Sequence, residues 1–322
     1  MISPSLKVGV LRGGPSNEYD VSLKTGANVL KHLLTICRPV DIFISKEGLW
    51  HVQGQVKSPE KILRQVDVVW NALHGKFGED GQVQAFLDSH GVKYTGSGRM
   101  SSSISMNKFL TKKEALEANV KTPLHLLVRS DDDYFQKAKD SIQTFPFPVV
   151  VKPVSGGSSQ GVAIVKNVPD LVFHLQNILN DGGSALVEEY IAGKEATCGV
   201  IDNFRNSKTY VLPPVEILHK SSFFDYDSKY SGQSKEICPG NFSKVEKDEI
   251  ERMSSLIHQK LGLSHYSRSD FIVHPKRGVY FLEVNSLPGM TKESLLPKSL
   301  EAVGVSMKEF ISHILSLALK SD

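Results

Sequence analysis

The sequence predicts an α/β protein made of more than one unit, and three observations carry that expectation. The chain has 322 residues, enough for two or three domains with ample core. A short apolar strand, Lys7 to Leu11, runs into Gly13-Gly14 and Pro15-Ser16-Asn17, and helical spacing follows at Val21, Ala27, Leu30 and Leu34. The same order returns at Val66 to Leu73, a nearly continuous apolar run of the kind that parallel strands buried on both faces show. It ends in a glycine-punctuated loop, His74 to Gly81, before a helix from Gln82 to Ser89. Functional groups gather at such carboxyl ends of strands.

Composition narrows the class. Hydrophobic content of 40% and charged content of 23% are ordinary for a soluble protein. A formal charge of +3 gives no argument for a nucleic-acid or anionic-membrane partner. No apolar run reaches the roughly 18 residues of a membrane span. The start, MISPSLKVGVL, goes straight into a strand without a signal-peptide core. Cys37, Cys198 and Cys238 are odd in number and widely spaced, which fits small buried hydrophobes better than disulfides or zinc. A reducing cytoplasm is expected.

In the first unit, the strand, glycine turn and helix start form a ready site for an anion or polar ligand. There is no GxGxxG, so a dinucleotide reading is weak. Ser22 reads as a cap or first-turn residue; Glu18 is harder to place as structure. Val40 to Ser45 is a further strand, and EGLW with HVQG reads as a small surface hairpin. His74 alone reads more readily as a loop or capping histidine than as a catalyst. The unit closes near residue 97.

A helix from Ser102 carries Met106, Asn107 and Lys108 and continues through TKKEALEAN, most of its lysines on a solvated face. Ser130-Asp131-Asp132-Asp133 reads as a polar loop or helix start. Phe147 to Val151 and Val162 to Val165 are antiparallel strands around Lys152-Pro153-Val154-Ser155-Gly156-Gly157-Ser158-Ser159-Gln160-Gly161. Backbone N–H groups and hydroxyls in such a loop can cradle phosphate beside Lys152. It is not a Walker A loop, and a plain hairpin tip is nearly as good a reading. Ala185 to Ile191 is a strand with Glu188 and Tyr190 on one face. Phe223 to Tyr230, polar and aromatic, suggests a loop that covers a substrate. Val245 to Leu261 is an amphipathic helix striped by Ile250, Met253, Ile257 and Leu261. Closing helices occupy Ser294 to Leu319.

Tyr266 to Thr291 reads as a hairpin turning at Pro275 to Gly278. Alternation places Arg268, Asp270 and Ile272 on one face, and Val279, Phe281, Glu283 and Asn285 together on the partner strand. Asp270 then sits opposite Glu283, and Arg268 opposite Asn285. Opposed carboxylates repel. Either a divalent cation such as Mg2+ relieves them, with the Asn285 amide oxygen as a further donor, or Arg268 simply neutralises a surface face.

Together and in order, GGPSNEYDVSLKTG, ALHGKFGEDG, YTGSG, SMNK, VVVKPVSGGSSQG, VEEYIAGKE, FFDYDSKY, SRSDF and LEVNSLPGMT resemble the D-alanine–D-alanine ligase family of the ATP-grasp superfamily, over nearly the whole chain. The resemblance implies a three-domain ATP-grasp fold: an N-terminal Rossmann-like domain at 1–97, a central subdomain at 98–187 and a C-terminal subdomain at 188–322. It implies ATP as cofactor, two Mg2+ with Mn2+ as a substitute, two D-alanines as substrates and a homodimer. Carried over by motif, Lys108, Lys152 and Ser159 hold the ATP phosphates. Glu188 and the backbone of Glu189, Tyr190 and Ile191 face adenine, and Glu195 faces the ribose. Asp270, Glu283 and Asn285 bind the metals, while Arg268 and the Gly289 amide form the oxyanion site. Glu18 holds the first D-alanine ammonium and is linked through Ser158 to Tyr230. His74 lies near the first substrate's carboxylate; Lys229, Ser294 and Leu295 lie near the second substrate. Relatives commonly read Glu-Arg-Glu-Val-Ser where this chain has Glu18 to Ser22, a departure that touches no proposed metal ligand. The rivals are a D-alanine–D-lactate ligase, which commonly replaces the tyrosine at Tyr230, another ATP-grasp amino-acid ligase, and a nucleotide-binding protein without ligase activity.

Overall fold

The computed structural model describes residues 2–158, 160–219 and 234–320. Three sheets follow one another along the chain. In the first, β1 (Lys7–Gly13) lies parallel between β2 (Arg38–Ile44) and β5 (Val68–Asn71), and the antiparallel pair β3 (Trp50–Val52) and β4 (Gln55–Val56) extends the β2 edge. Val8 and Val10 pack with Val29 and Leu33 of α1 (Tyr19–Leu33). Leu11 packs on the other side with Val83 and Leu87 of α3 (Gln82–Ser89), beyond the short α2 (Pro59–Leu63). Covered on both faces, β1 and β5 need apolar residues at nearly every position, which is why they read as continuous runs. Gly13 has φ +90, and a Cβ there would sit 2.2 Å from the Ile44 carbonyl. Only glycine lets the chain turn there into α1.

The second sheet is antiparallel, in the order β6 (His125–Val128), β9 (Ala185–Glu189), β7 (Val149–Pro153), β8 (Ala163–Val165). Helices α6 (Tyr134–Thr144) and α7 (Val168–Asn180) bury Ala138, Leu171 and Leu175 against it. Asp133, in the expected polar stretch, caps α6 by accepting from Phe135 N and Gln136 N. The domain division expected at 187/188 runs through β9.

The third sheet runs β13 (Ser234–Ile237), β12 (Val215–His219), β10 (Lys194–Phe204), β14 (Tyr266–His274), β15 (Gly278–Asn285), with β11 (Ser207–Val211) also on β10. Helix α8 (Lys244–Lys260) starts at a capping box between Ser243 and Glu246. Its stripe of Ile250, Met253 and Ile257, with Leu261 just beyond, is buried against Phe271, Val273 and Phe281. Each such side chain contributes about 1.5–3 kcal/mol. Helices α9 (Leu295–Ala302) and α10 (Met307–Lys320) turn back onto the first sheet, where Leu296, Phe310 and Ile314 share one core with Val8, Val10, Ile201 and Tyr266. Among the described residues no single helix is long and apolar enough to cross a membrane.

Two expectations are corrected. The helix expected from Ser102 is two helices, α4 (Arg99–Met106) and α5 (Lys108–Glu117). Asn107 leaves helical geometry (φ −92, ψ 99), and its side chain accepts from Leu110 N to cap the second. Lys108 thereby becomes the first residue of a new helix. It and Lys112 are buried, at 8% and 0% exposure, so the solvated-face expectation fails for both.

The hairpin pairs Arg268 with Asn285 and Asp270 with Glu283 as expected, but a bulge follows Asp270, so that Phe271 pairs with Phe281 and His274 with Gly278. Leu282 is the extra residue. Paired residues share a face, so Val279 and Phe281 lie on the side opposite Glu283 and Asn285, in the core beneath α8. Unbroken alternation would have forced apolar and polar side chains onto one surface.

Candidate active site

The glycine-rich loop after β7, the start of α5 and the polar face of β14–β15 meet around a small cavity lined by Lys108, Ser155, Gly156, Gly157, Gln160 and Glu283. The break at Asn107 aims Lys108 into it. Asn107 bridges to Ser155, Lys108 Nζ donates to the Gly156 carbonyl at 2.6 Å, and the same nitrogen lies 3.6 Å from Glu283 Oε2. One cation therefore touches both the loop and the acidic face.

On that face Arg268 makes a bidentate contact with Asp270, Nε to Oδ1 at 3.0 Å and Nη2 to Oδ2 at 2.9 Å. Burial opposes the guanidinium charge, but Asp270 and Glu283 outweigh it and its pKa is raised. Thr197 on β10 donates to Asp270 Oδ1 at 2.6 Å. Asn285 Oδ1 accepts from Leu287 N at 2.8 Å. Both readings of the opposed acids thus have a footing: Arg268 does neutralise Asp270, and the donor set of two carboxylates and an amide is wholly oxygen. Among the described residues no three His, Cys, Asp or Glu gather as a metal centre. Asp270, Glu283 and Asn285 offer only oxygen donors, the kind a hard cation such as Mg2+ prefers.

Behind the cavity, Glu188 Oε1 lies 3.0 Å from Lys152 Nζ and 3.1 Å from Lys112 Nζ. Lys112 also donates to Thr122 Oγ1 at 2.8 Å. All three side chains are almost completely buried. Burial, opposed by Glu188, pushes Lys112 down to about 8. Burial alone would raise Glu188, but the two ammoniums overcome it and lower its pKa.

The first unit supplies the opposite wall. Ser158, with φ 52, donates to Glu18 Oε1, and Asn17 Nδ2 donates to Gln160 Oε1 at 3.2 Å. A Cβ on Gly157 would stand 3.1 Å from Glu18 Oε2, so the loop comes this close because it carries glycine. Burial and the neighbouring Glu79 raise the Glu18 pKa. His74 is buried, its Nε2 3.0 Å from Thr25 Oγ1 and its Nδ1 3.8 Å from Glu79 Oε1. The segment after β15 reaches the same wall, with Asn28 Nδ2 donating to the Met290 carbonyl at 2.6 Å. Gly289 packs on Ser294, where a Cβ would lie 2.9 Å from Oγ, and Ser294 Oγ accepts from Thr291 N at 3.1 Å.

The structure thus brings Glu18, His74, Lys108, Ser158, Arg268, Asp270, Glu283 and Asn285 around one space, with Lys152 and Glu188 behind it. The Glu189 side chain, not the backbone expected to face adenine, accepts from Leu124 N at 3.0 Å and Arg277 at 2.8 Å. Tyr190 is 39% exposed and Ile191 is buried; Glu195 lies on β10 opposite Ile217 and Ile272, and Leu295 opens α9. Ser159, Lys229 and Tyr230, with the FFDYDSKY stretch, lie outside the described residues. Sequence reasoning missed three residues. Glu79 gave only an unremarkable loop acid, and Thr197 gave no signal. Lys112 had one: it stands one helical turn after Lys108, on the same face.

Comparisons with known proteins identify the family. The family model described as D-ala D-ala ligase C-terminus matches residues 115–316, and that described as D-ala D-ala ligase N-terminus matches 52–97. The chain is 33% identical to a D-alanine–D-alanine ligase of Leptospira interrogans, covering 98% of each. It superposes with TM-score 0.79 and 30% identity on the Bacillus anthracis D-alanine–D-alanine ligase complexed with ATP, over 98% of each chain. The VanG D-Ala:D-Ser ligase of Enterococcus faecalis gives TM-score 0.83 at 27% identity, over 98% of this chain and 99% of that one. With ATP-grasp architecture, a family model over residues 115–316 and a curated relative 33% identical over 98% of the chain, the chain belongs to the D-alanine–D-alanine ligase family.

Proposed function

We propose that this chain joins two D-alanines into D-alanyl-D-alanine, a peptidoglycan precursor, at the expense of ATP. The observation that carries the reading is the bulged hairpin: Arg268, Asp270, Glu283 and Asn285 share one face, opposite Lys108 and the glycine-rich loop. Phosphoryl transfer is mostly positioning and charge neutralisation, so a site of Lys, Arg and acids with no strong protein nucleophile suits it.

In this reading Lys108, Lys152 and Ser159 hold the triphosphate over the loop, while Glu188, the backbone of Glu189 to Ile191, and Glu195 receive adenosine. Asp270, Glu283 and Asn285 would hold two Mg2+, which would neutralise charge on the phosphate oxygens. Glu18, steadied by the hydrogen bond from Ser158, accepts the ammonium of the first D-alanine, with His74 beside its carboxylate. That carboxylate attacks the γ-phosphorus, and ADP leaves. The amine of the second D-alanine, placed by Lys229, Ser294 and Leu295, adds to the acyl carbonyl, and phosphate departs as the amine loses its proton. Arg268 is fixed on Asp270 through two of its donors, which leaves the rest of the guanidinium fork for the oxyanion of the tetrahedral intermediate, with the Gly289 amide. The role this reading gives Tyr230 and the FFDYDSKY stretch is to exclude the water that would hydrolyse the acyl phosphate. The homodimer implied by the resemblance belongs to the same reading and is checked by sedimentation.

The test is phosphate release with ATP and Mg2+ across D-alanine, D-serine, D-lactate and L-alanine, with product mass. The expected product is the D-alanine dipeptide. Turnover only with D-serine or D-lactate as second substrate would move the chain to the corresponding branch, the D-serine one being that named for the Enterococcus structure.

A further inference from the structure

Lys112 takes no part in the mechanism above, yet it is the most deeply buried charge near the site. Its side chain has no exposure and cannot reach a nucleotide. Two of its donors are placed, on Thr122 Oγ1 at 2.8 Å and Glu188 Oε1 at 3.1 Å. Lys152 Nζ lies 3.0 Å from that same Glu188 oxygen. One carboxylate therefore serves two ammoniums in a dry setting, and one positive charge is left over. A buried charge is costly unless paired.

We propose that Lys112 is a positioning residue for nucleotide: by sharing Glu188 with Lys152, it stops that acid from satisfying Lys152 and leaves the pair one negative charge short, a deficit that a triphosphate fills. This rests on the reading of Lys152 as a nucleotide ligand. With Lys112 neutral, Glu188 and Lys152 form a complete ion pair and call less strongly for a phosphate. Lys108 cannot substitute, being turned to Gly156 and Glu283. The groups facing Lys112 are Glu188 on β9, Lys152 on β7, Glu283 on β15 at longer range, and His125 on β6, which burial keeps below its ordinary pKa. Burial also brings Lys112 down to about 8, so its charge is lost within an accessible pH range.

The experiment is equilibrium binding of Mg-ATP to the full chain without D-alanine, so that no turnover is needed. In the parent protein the dissociation constant should hold steady below the Lys112 pKa and weaken about tenfold over the next one to two pH units. Lys112→Met should bind about tenfold more weakly at pH 7, lose the alkaline trend, and melt close to the parent without nucleotide. A purely structural Lys112 would give the reverse, a lower melting temperature with affinity and trend unchanged, and that overturns the inference. Should Lys112→Met not fold, Thr122→Val decides: removing that hydroxyl must shift the inflection to lower pH, and an unmoved inflection overturns the proposal. A parent protein that binds no ATP at any pH removes the nucleotide reading itself; one that binds with no pH trend removes only the role of Lys112.

Discussion

Replacing Glu188 with glutamine keeps the volume of the side chain and removes its charge. The carboxylate is 2% exposed, and it lies 3.0 Å from one ammonium and 3.1 Å from another. Deleting one partner of a buried pair costs about 3–5 kcal/mol, because the other charge stays behind uncompensated. Here Lys112 offers relief, since with a pKa of about 8 its deprotonation at pH 7 costs only about 1.4 kcal/mol. The expected loss is therefore at the lower end, about 3 kcal/mol, which lowers the melting temperature by about 6–12 °C. Thermal unfolding without nucleotide, followed by circular dichroism, measures it. Repeating the melt above the Lys112 pKa adds a control. Lys112 is then neutral in both proteins, so the gap narrows by about 1 kcal/mol. Adding Lys112→Met to Glu188→Gln should recover part of the loss, as contacting groups are not additive. A melt within about 1 °C of the parent at neutral pH, or a gap indifferent to pH, would refute the account of a shared carboxylate.

Glu283→Gln should abolish phosphate release with D-alanine and leave the melt nearly unmoved, because its side chain is 39% exposed and its Lys108 contact is worth under about 1 kcal/mol. Near-normal turnover removes the metal role. His265 is buried, accepts from Gly96 N at 2.9 Å and has its pKa pushed down from 6.5 to about 4. The folded state thus binds fewer protons than the unfolded between those values, so stability is full above 6.5 and falls with acid, by about 3 kcal/mol in all. His265→Asn keeps an acceptor in a left-handed position that asparagine tolerates, and should flatten that acid slope in pH-dependent melts. Glu18 must be ionised to hold an ammonium, and burial with Glu79 raises its pKa. The acid limb of kcat/KM for D-alanine should therefore lie above the usual carboxylate range, and a limb at 4.5 or below counts against the assignment.

Much of the fold was legible because its signals are local. The glycine turn after β1, the apolar run of β5 and the stripe of α8 each follow from a period or a turn residue, and each appears where expected. The cross-strand pairs of Asp270 with Glu283 and Arg268 with Asn285 were legible too, as the turn lies only a few residues away. The bulge was not. Leu282 is apolar and fits an alternating pattern, so only packing beneath α8 reveals that Phe281 faces away from Glu283. Burial of Lys108 and Lys112 was equally hidden, because a lysine-rich helix ordinarily turns its charges to water, and here Glu188, far along the sequence on β9, draws Lys112 inward. The role of Asn107 could have been read, since asparagine is a favoured cap and a helix that restarts changes which residue opens it.

The irregularity at Leu282 has a consequence for how this hairpin tolerates change. Shortening a strand by one residue normally turns everything beyond the cut inside out. Excising Leu282 would not: Glu283 and Asn285 would keep their side, and Phe281 and Val284 theirs. What would be lost is the added local twist that such an insertion confers, and with it the aim of the Glu283 carboxylate toward Lys108. A protein that still folds but no longer releases phosphate is the expected result, which assigns this leucine to aiming and not to stability.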